Sequence, residues 1–468
     1  MANIRPLAAI RVAAKRKSAI ALCIVVLAVA VMYARSGWYV STLVMLLAMT
    51  VIFGFSAAME TTWRMYGRRD PEAIRNMGFP PPTEHSGEST FSLIVPAKDE
   101  GGVLLHTLET LAKQTHPNVQ VIPSLIEGDE DTIEDAMLAH RRYPDRIDIP
   151  VVKAYEDEKK PHQLNAALEF CTGEYVGVID AEDATAEGLV IAVEAAFQRT
   201  DTDIVQGPVQ LVNLGTKLRH WFRVHNILEY FFWFSSRMMF QAAHRFVPLG
   251  GNTVFIKRNL LVRAGGWPIS LTEDCALGVY LCTVFGAKVY AAYEPRLATL
   301  EETPDDIKGL FWQRVRWDIG FGVELMKMGW LKLPTLHQTL LAWYILITPY
   351  FQAATYLFLP ITIIASLYLK APVLLVMLMF LPYIPIALVM LMQCIGLWEF
   401  GKVFEEEVRI RHFAFLVCGF FAYQIVLGFA AAVAVYRIVR NNMIWDKTAH
   451  SNKHRAVIPF PASAEKVA

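Results

Sequence analysis

Two uncharged apolar runs open the chain, Ser18 to Tyr33 and Trp38 to Met59, separated only by Ala34, Arg35, Ser36 and Gly37. Each approaches the ~20 residues a helix needs to cross a hydrocarbon core. Arg5, Arg11, Lys15, Arg16 and Lys17 precede the first run, and Arg64, Arg68 and Arg69 follow the second. Positive charge gathers on the cytoplasmic side of membrane helices, so the pattern predicts a hairpin with both ends inside. A cleaved signal peptide fits less well. A second span follows at once, with no small-residue cleavage pattern between the two.

The pattern then changes. Pro80-Pro81-Pro82 and the polar residues up to Thr90 read as a linker. Phe91 to Pro96 is a short apolar run that predicts a buried strand. Gly102 to Lys113, with Leu104, Leu105, Leu108 and Leu111 at helical spacing, predicts a helix. Strands are expected at Val119–Ile126, Ile149–Ala154 and Tyr175–Ile179, with helices at Ile133–Arg142 and His162–Glu169 between them. Alternation of this kind predicts an α/β domain on a parallel sheet with right-handed crossovers. Apolar blocks return at Thr339–Leu369, Pro372–Trp398 and Phe413–Val435, the first two containing prolines that kink membrane helices. Arg437, Arg440, Lys447, Lys453 and Arg455 make the tail basic, which favours the inside. A re-entrant segment among the three blocks would reconcile that side with an odd number of crossings. Five or six spans are expected in all. The expected boundaries are a membrane hairpin at 1–60, a linker at 61–90, a soluble domain at 91–335, a second membrane region at 336–436 and a basic tail at 437–468.

Composition agrees with a bilayer. Of 468 residues 54% are apolar, and mean hydropathy is +0.34. Lys+Arg and Asp+Glu are both 44, so charge gives no reason to expect nucleic acid as a partner. The six cysteines have no metal-ligand or CxxC spacing and are assigned no chemistry.

Candidate chemistry gathers at predicted strand ends. Val176-Gly177-Val178-Ile179 ends in Asp180-Ala181-Glu182-Asp183, the first strand in Pro96-Ala97-Lys98-Asp99-Glu100, and the second in Glu127-Gly128-Asp129-Glu130-Asp131. Lys159-Lys160-Pro161-His162 lies upstream of the Asp180 strand. Each cluster alone reads as a solvated turn. Three at one edge of a parallel sheet, where such sheets bind ligands, need a cation among them. A nucleotide diphosphate with Mg2+ or Mn2+ meets that need, with Lys160 adding positive charge. Further on come Gly250-Gly251-Asn252, then Thr272-Glu273-Asp274 at a helix start with Thr272 as N-cap, then Gln313-Arg314-Val315-Arg316-Trp317 on a helix. Taken singly, the acidic pair only complements a helix dipole, and the last set is an interfacial helix with snorkelling arginines.

Asp180-Ala181-Glu182, Thr272-Glu273-Asp274 and Gln313 to Trp317, in this order, resemble the DxD, TED and QxxRW motifs of family 2 membrane glycosyltransferases. Cellulose, hyaluronan and chitin synthases are relatives of that kind. The resemblance covers roughly Phe91 to Trp330 and the flanking membrane helices. It implies a GT-A fold and an inverting hexosyl- or N-acetylhexosaminyltransferase that uses a nucleotide-diphosphate sugar, with UDP the expected nucleotide. It also implies that Asp129 contacts the base, with Asp131 as the alternative, and that Pro96, Asp99, Glu100, Lys160 and Gln313 belong to the donor site. Asp180 and Glu182 would hold the sugar diphosphate and the metal. The triplet is DxE, so Asp183 is an alternative ligand. Asp274, with Glu273 beside it, would be the general base, and Arg316 would steady the leaving diphosphate. Gly251, Asn252 and Trp317 would face the acceptor. The expected setting is a bacterial-type inner or plasma membrane with the domain in the cytoplasm. The expected acceptor is a growing polysaccharide, extruded with or without export subunits. The alternatives are single transfer to a membrane lipid and, further off, a dead scaffold or transporter.

Overall fold

The structure, a computed structural model, describes residues 7–65, 78–155, 159–381 and 383–441. Arg5, Arg68, Arg69, Lys447, Lys453, Arg455, Pro382, the linker's first part and the tail beyond Asn441 lie outside the described residues.

Helix α1 (Leu7–Met65) is broken at Gly37, whose φ of 72° and ψ of 160° suit a residue without a Cβ. Ser41 Oγ donates to the Met32 carbonyl at 3.0 Å. In a continuous helix nine positions would separate them by ~13 Å, so the chain folds back at the break.

The central sheet has seven strands in the order β3-β2-β1-β4-β7-β5-β8. They are β1 (Phe91–Pro96), β2 (Val119–Ile126), β3 (Val151–Lys153), β4 (Tyr175–Val178), β5 (Ile204–Gln206), β7 (Val254–Lys257) and β8 (Val289–Ala291). A separate parallel pair joins β6 (Val209–Val212) to β9 (Thr299–Glu302). Strands β3, β2, β1 and β4 are parallel. Strand β7 is antiparallel to both β4 and β5. The sheet is therefore mixed, where the sequence predicts a parallel one. A reversed strand places its amino end at the edge where its neighbours end, and Val254 pairs with Val178. The loop before β7 thus meets the acidic loop after β4, and the Thr253 N–H donates to the Val178 carbonyl at 2.8 Å.

Helices cover both faces. Helices α2 (Leu104–Ala112), α3 (Glu130–Arg142) and α5 (Leu189–Arg199) bury Leu104, Leu108, Ala136, Val193 and Ala196 on one side. On the other, α4 (Lys160–Leu168), α8 (Arg258–Ala264) and α9 (Glu273–Tyr280) contribute Leu164, Leu260, Leu261 and Leu277. This face also receives Phe234, from a π-helical turn at Trp233–Arg237, and Met238. That turn lies between α6 (Arg223–Phe232) and α7 (Met238–Ala243). Gly177 in β4 has no room for a side chain, since a Cβ there would lie 2.7 Å from the Phe255 ring and 2.8 Å from Leu93.

Helix α10 (Ile307–Lys327) leads towards the apolar helices α11 (Leu336–Tyr368), α12 (Val373–Phe380), α13 (Tyr383–Val403) and α14 (Ile410–Arg440). It packs against α11 and α14, while α6 packs against α13 and α14. Helix α11 runs unbroken through Pro349 and Pro360, and the block expected at 372–398 divides into α12 and α13. Among the described residues, three stretches are long and apolar enough to cross a membrane: Ala34–Trp63, Val373–Val403 and Ile410–Arg440. These mark a membrane protein.

Candidate active site

Lys160 opens α4 and reaches under the end of β4. Its ammonium ion-pairs with Asp180, donates to the Gly251 carbonyl at 3.0 Å and lies 3.8 Å from Glu273 Oε1. One cation therefore ties together the acidic loop after β4, the glycine loop before β7 and the first turn of α9. Burial works against its charge, but Asp180 and Glu273 outweigh burial and hold its pKa above the ordinary lysine value.

The carboxylates around it are raised. Burial pushes Asp180 upward, with Lys160 opposing and Glu182 reinforcing. Burial, then Glu301 and Asp180, drive Asp183 well above the carboxylate range. Asp183 turns one oxygen back to the Asp180 N–H at 3.0 Å, while its Oδ1 is buried with no hydrogen-bond partner. Burial takes Glu273 to about 7, with Lys160 opposing. It also raises Asp274, against the Cys275 N–H and Lys160. Burial thus favours the protonated forms, and added positive charge beside Lys160 would favour the ionised ones.

The turn before α9 is held by shape. Thr272 occupies the N-cap position, yet its side chain makes no capping bond and its Oγ1 is buried without a partner. The expected cap is absent because the side chain faces α10. A Cβ on Gly320 would lie 1.9 Å from Thr272 Oγ1, so only glycine admits this approach. Gly251 approaches less tightly, with a Cβ position 3.2 Å from Asp274 Oδ2.

Helix α10 has a true cap, Asp306 Oδ1 accepting from the Gly309 N–H at 2.7 Å. It carries Gln313, Arg314, Arg316 and Trp317 to the same cavity. Arg314 donates to Glu229 Oε2 and Asn226 Oδ1, both at 2.5 Å, and its guanidinium lies 4.5 Å from the Trp317 ring centre.

One cavity of about 450 Å³ joins these groups. Its lining includes Pro96, Glu100, Lys160, Asp180 and Glu182 on the sheet side, and Gly251, Asn252, Glu273 and Asp274 in the middle. Gln313, Arg316 and Trp317 follow on α10. The far wall comes from apolar helices: Ser56, Glu60 and Trp63 of α1, Thr348 and Gln352 of α11, and Leu427 of α14. Asp99, Asp129, Asp131 and Asp183 are not among the lining residues. Asp129 instead accepts the Asp99 N–H at 2.6 Å, linking the loops after β1 and β2.

Sequence reasoning missed Glu301 and Glu229, which also line the cavity. Glu301 sits on β9, which reaches the acidic loop through the Ala184–Leu300 bridge, and it accepts from Asn252 Nδ2. Burial, then Asp180 and Glu182, take it to about 8. The adjacent acids of Leu300-Glu301-Glu302 were the available signal. Glu229, between Leu228 and Tyr230 on a largely buried helix, gave a similar one. Among the described residues no group of three Asp, Glu, His or Cys side chains is placed to hold a metal ion by itself.

Residues 88–320 match the family described as glycosyltransferase like family 2. A beta-monoglucosyldiacylglycerol synthase of Trichormus variabilis is 26% identical over 190 residues, and the match spans 40% of this chain and 40% of that one. A poly-beta-1,6-N-acetyl-D-glucosamine synthase of Staphylococcus epidermidis is 23% identical over 295 residues, 62% of this chain and 68% of its own length. Among solved structures, a mannosyltransferase from Pyrobaculum calidifontis in complex with GDP-Man and Mn2+ superposes with a TM-score of 0.54 at 15% identity. The superposition covers 85% of this chain and 99% of that one. The shared architecture is the GT-A-like α/β fold.

Proposed function

Residues 88–320 being a family 2 glycosyltransferase-like domain, we propose that the protein is an inverting membrane glycosyltransferase. It moves a hexosyl or N-acetylhexosaminyl group from a nucleotide diphosphate, UDP by preference, to a growing polysaccharide. The domain at 91–335 faces the cytoplasm, where donors of this class are made, and the flanking membrane regions at 1–60 and 336–436 anchor it. The observation that carries the reading is the single cavity. It places the carboxylates at the end of β4, the Glu273-Asp274 pair and Arg316 within reach of side chains from α1, α11 and α14.

Inversion needs a base on one face of the anomeric carbon and charge stabilisation on the other. Asp274 takes the proton from the acceptor hydroxyl. Its raised pKa brings it nearer the working pH, where a general base is most effective. Glu273 and Lys160 hold that turn in place. Arg316 meets the negative charge that develops on the leaving diphosphate, and Trp317 offers a ring face to the acceptor sugar. Gly251 and Asn252 shape the space between donor and acceptor.

The residues fit a hard divalent cation shared with the donor. The donor set is all oxygen, Asp180 and Asp183 are raised by burial and by neighbouring carboxylates, and Asp183 keeps an unpartnered buried oxygen. Mg2+ and Mn2+ of this class bind through one or two carboxylates plus phosphate oxygens. Asp180 and Glu182 would hold it, and when bound it neutralises the diphosphate.

The polysaccharide reading draws on the polar membrane-side wall of Ser56, Glu60, Thr348 and Gln352, which suits a hydroxyl-rich chain. The lipid-acceptor reading draws on the Trichormus synthase likeness and on the few described spans. A donor screen separates them. Membranes containing the protein are given radiolabelled UDP-glucose, UDP-N-acetylglucosamine, UDP-galactose or GDP-mannose with Mg2+ or Mn2+. Label in high-mass water-soluble material supports the polymer. Label extracted as one organic-soluble species replaces it with a glycolipid. No turnover of any donor refutes both.

A further inference from the structure

We infer that Glu229 is a positioning residue for the acceptor side of the cavity, and that through it the helix α14 helps set the ring of Trp317. The inference rests on the acceptor-side reading of Trp317 given above.

Trp317 has the Arg314 guanidinium 4.5 Å from its ring centre and the Tyr230 ring 6.1 Å away. A guanidinium stacked on an indole fixes the ring only if the guanidinium is itself fixed. Arg314 is held from α6, one helix away, where Glu229 Oε2 and Asn226 Oδ1 both accept from its Nη2 at 2.5 Å. Charge-assisted bonds of this kind are the strong and directional ones.

The same Glu229 oxygen accepts from Tyr423 Oη at 2.8 Å. Tyr423 lies in α14, within a stretch long and apolar enough to cross a membrane, and is buried. Its ring stacks on His225 at 4.7 Å and 13°, and His225 Nε2 is 3.2 Å from the Phe415 carbonyl. Glu229 is therefore a junction of three helices, α6, α10 and α14. It lines the cavity, yet its carboxylate is taken up by Arg314 and Tyr423. Asp318, next to Trp317, is tied in from a third side, because Tyr350 Oη of α11 donates to its carbonyl at 2.5 Å. Close approach supports the junction: a Cβ on Gly419 of α14 would lie 2.7 Å from the Trp221 ring and 3.1 Å from His225.

A group that sets the acceptor platform changes where the sugar goes more than how the donor binds. The readout is the partition of label from a radiolabelled donor between membrane-borne acceptor and free sugar released by water. Donor KM is measured alongside, in membranes containing the full chain. Glu229→Gln keeps the size but loses the charge, and Arg314→Lys keeps the charge but loses the planar stack. Each is expected to shift the partition towards hydrolysis about tenfold, with donor KM unchanged. Tyr423→Phe shifts it in the same direction by less. Because the residues act as a unit, Glu229→Gln adds little to Trp317→Ala.

If Trp317→Ala shifts the partition while Glu229→Gln and Arg314→Lys do not, the positioning inference is overturned and the acceptor reading stands. If Trp317→Ala itself changes nothing, the acceptor reading of Trp317 fails. A parallel rise in donor KM for Glu229→Gln and Arg314→Lys, or a lowered unfolding temperature of the detergent-solubilised protein that accounts for the loss, makes Glu229 a fold contact only and overturns the inference.

Discussion

Gly320→Ala adds one methyl group to α10 and removes no ionisable group of the site. Its Cβ would lie 1.9 Å from Thr272 Oγ1, 2.6 Å from Cγ2 and 2.7 Å from Cβ. Ordinary contact begins about 1.5 Å further out than the first of these, near the 3.5 Å optimum for heavy atoms. Rotating the threonine does not relieve the overlap, because its own Cβ is too close. Either α10 backs away or the turn bearing Glu273 and Asp274 moves, by about 1 Å in each case. Alanine recovers ~0.5–1 kcal/mol of helix propensity over glycine. Overpacking costs ~1–3 kcal/mol. The fold should therefore lose about 1 kcal/mol and survive. Catalysis is less forgiving, since a displacement of about 1 Å costs up to ~100-fold, or ~2.7 kcal/mol of barrier. Initial transfer rates in membranes, set beside thermal unfolding in detergent, separate the two effects. Thr272→Gly removes all three contacting atoms and should restore the rate in the double variant, at little cost because Oγ1 has no partner to lose. A Gly320→Ala protein with more than half the parental rate would refute the claim that α10 fixes the Asp274 turn.

Asp274→Asn should abolish transfer, by 10²-fold or more, while nucleotide binding by calorimetry stays within about threefold; loss of binding would make Asp274 a donor ligand instead. Stability of the ligand-free protein should fall as pH rises. Glu273 and Glu301 sit near 7 and 8 in the fold against 4.5 for an unperturbed carboxyl. Over about pH 4.5–8 the folded chain thus holds protons that the unfolded chain has released, so their contribution is complete below 4.5 and gone above 8. The unfolding temperature is expected to be lower at pH 8.5 than at pH 5.5, and UDP with Mn2+ should raise it more at the higher pH. A flat profile would mean that the carboxylates are already neutralised without ligand. Glu194→Ala should cost ~3–5 kcal/mol, because a fully buried carboxylate that serves His116 and the Gly87 and Ser89 N–H groups is removed; denaturant unfolding showing under 1 kcal/mol would contradict that.

The strands of the first half were legible because buried parallel strands read as mainly apolar runs ending in turn residues, and β1 and β2 have the bounds the sequence predicts. The Asp180, Asp274 and Trp317 segments were legible because each is compact and polar against an apolar background. The reversal of β7 was not. Four residues, Val254 to Lys257, carry no mark of direction, and direction follows from the path through α6, the π-helical turn and α7. The separation of Asp129 from the cavity was equally hidden, since its use as acceptor for the Asp99 N–H depends on a positive φ of 55° at Asp99. Glu301 and Glu229 escaped notice because they join the cavity through tertiary contacts, β9 against the loop after β4 and α6 against α10. Their sequence neighbourhoods mark them as acids among apolar residues but do not say which loop or helix they meet.

The cavity wall furnished by α1, α11 and α14 gives lipid composition a hold on turnover. Membrane helices answer a bilayer that is too thin or too thick by tilting. Helix α14, one of the stretches long and apolar enough to cross a membrane, has 31 residues, about 46 Å at the usual rise, so a tilt of a few degrees carries its end by several ångströms. Leu427 travels with it, while Lys160 and Asp180 stay with the sheet. On that reading hydrocarbon thickness would become a variable of the reaction geometry, and initial rates in bilayers of different thickness would show it.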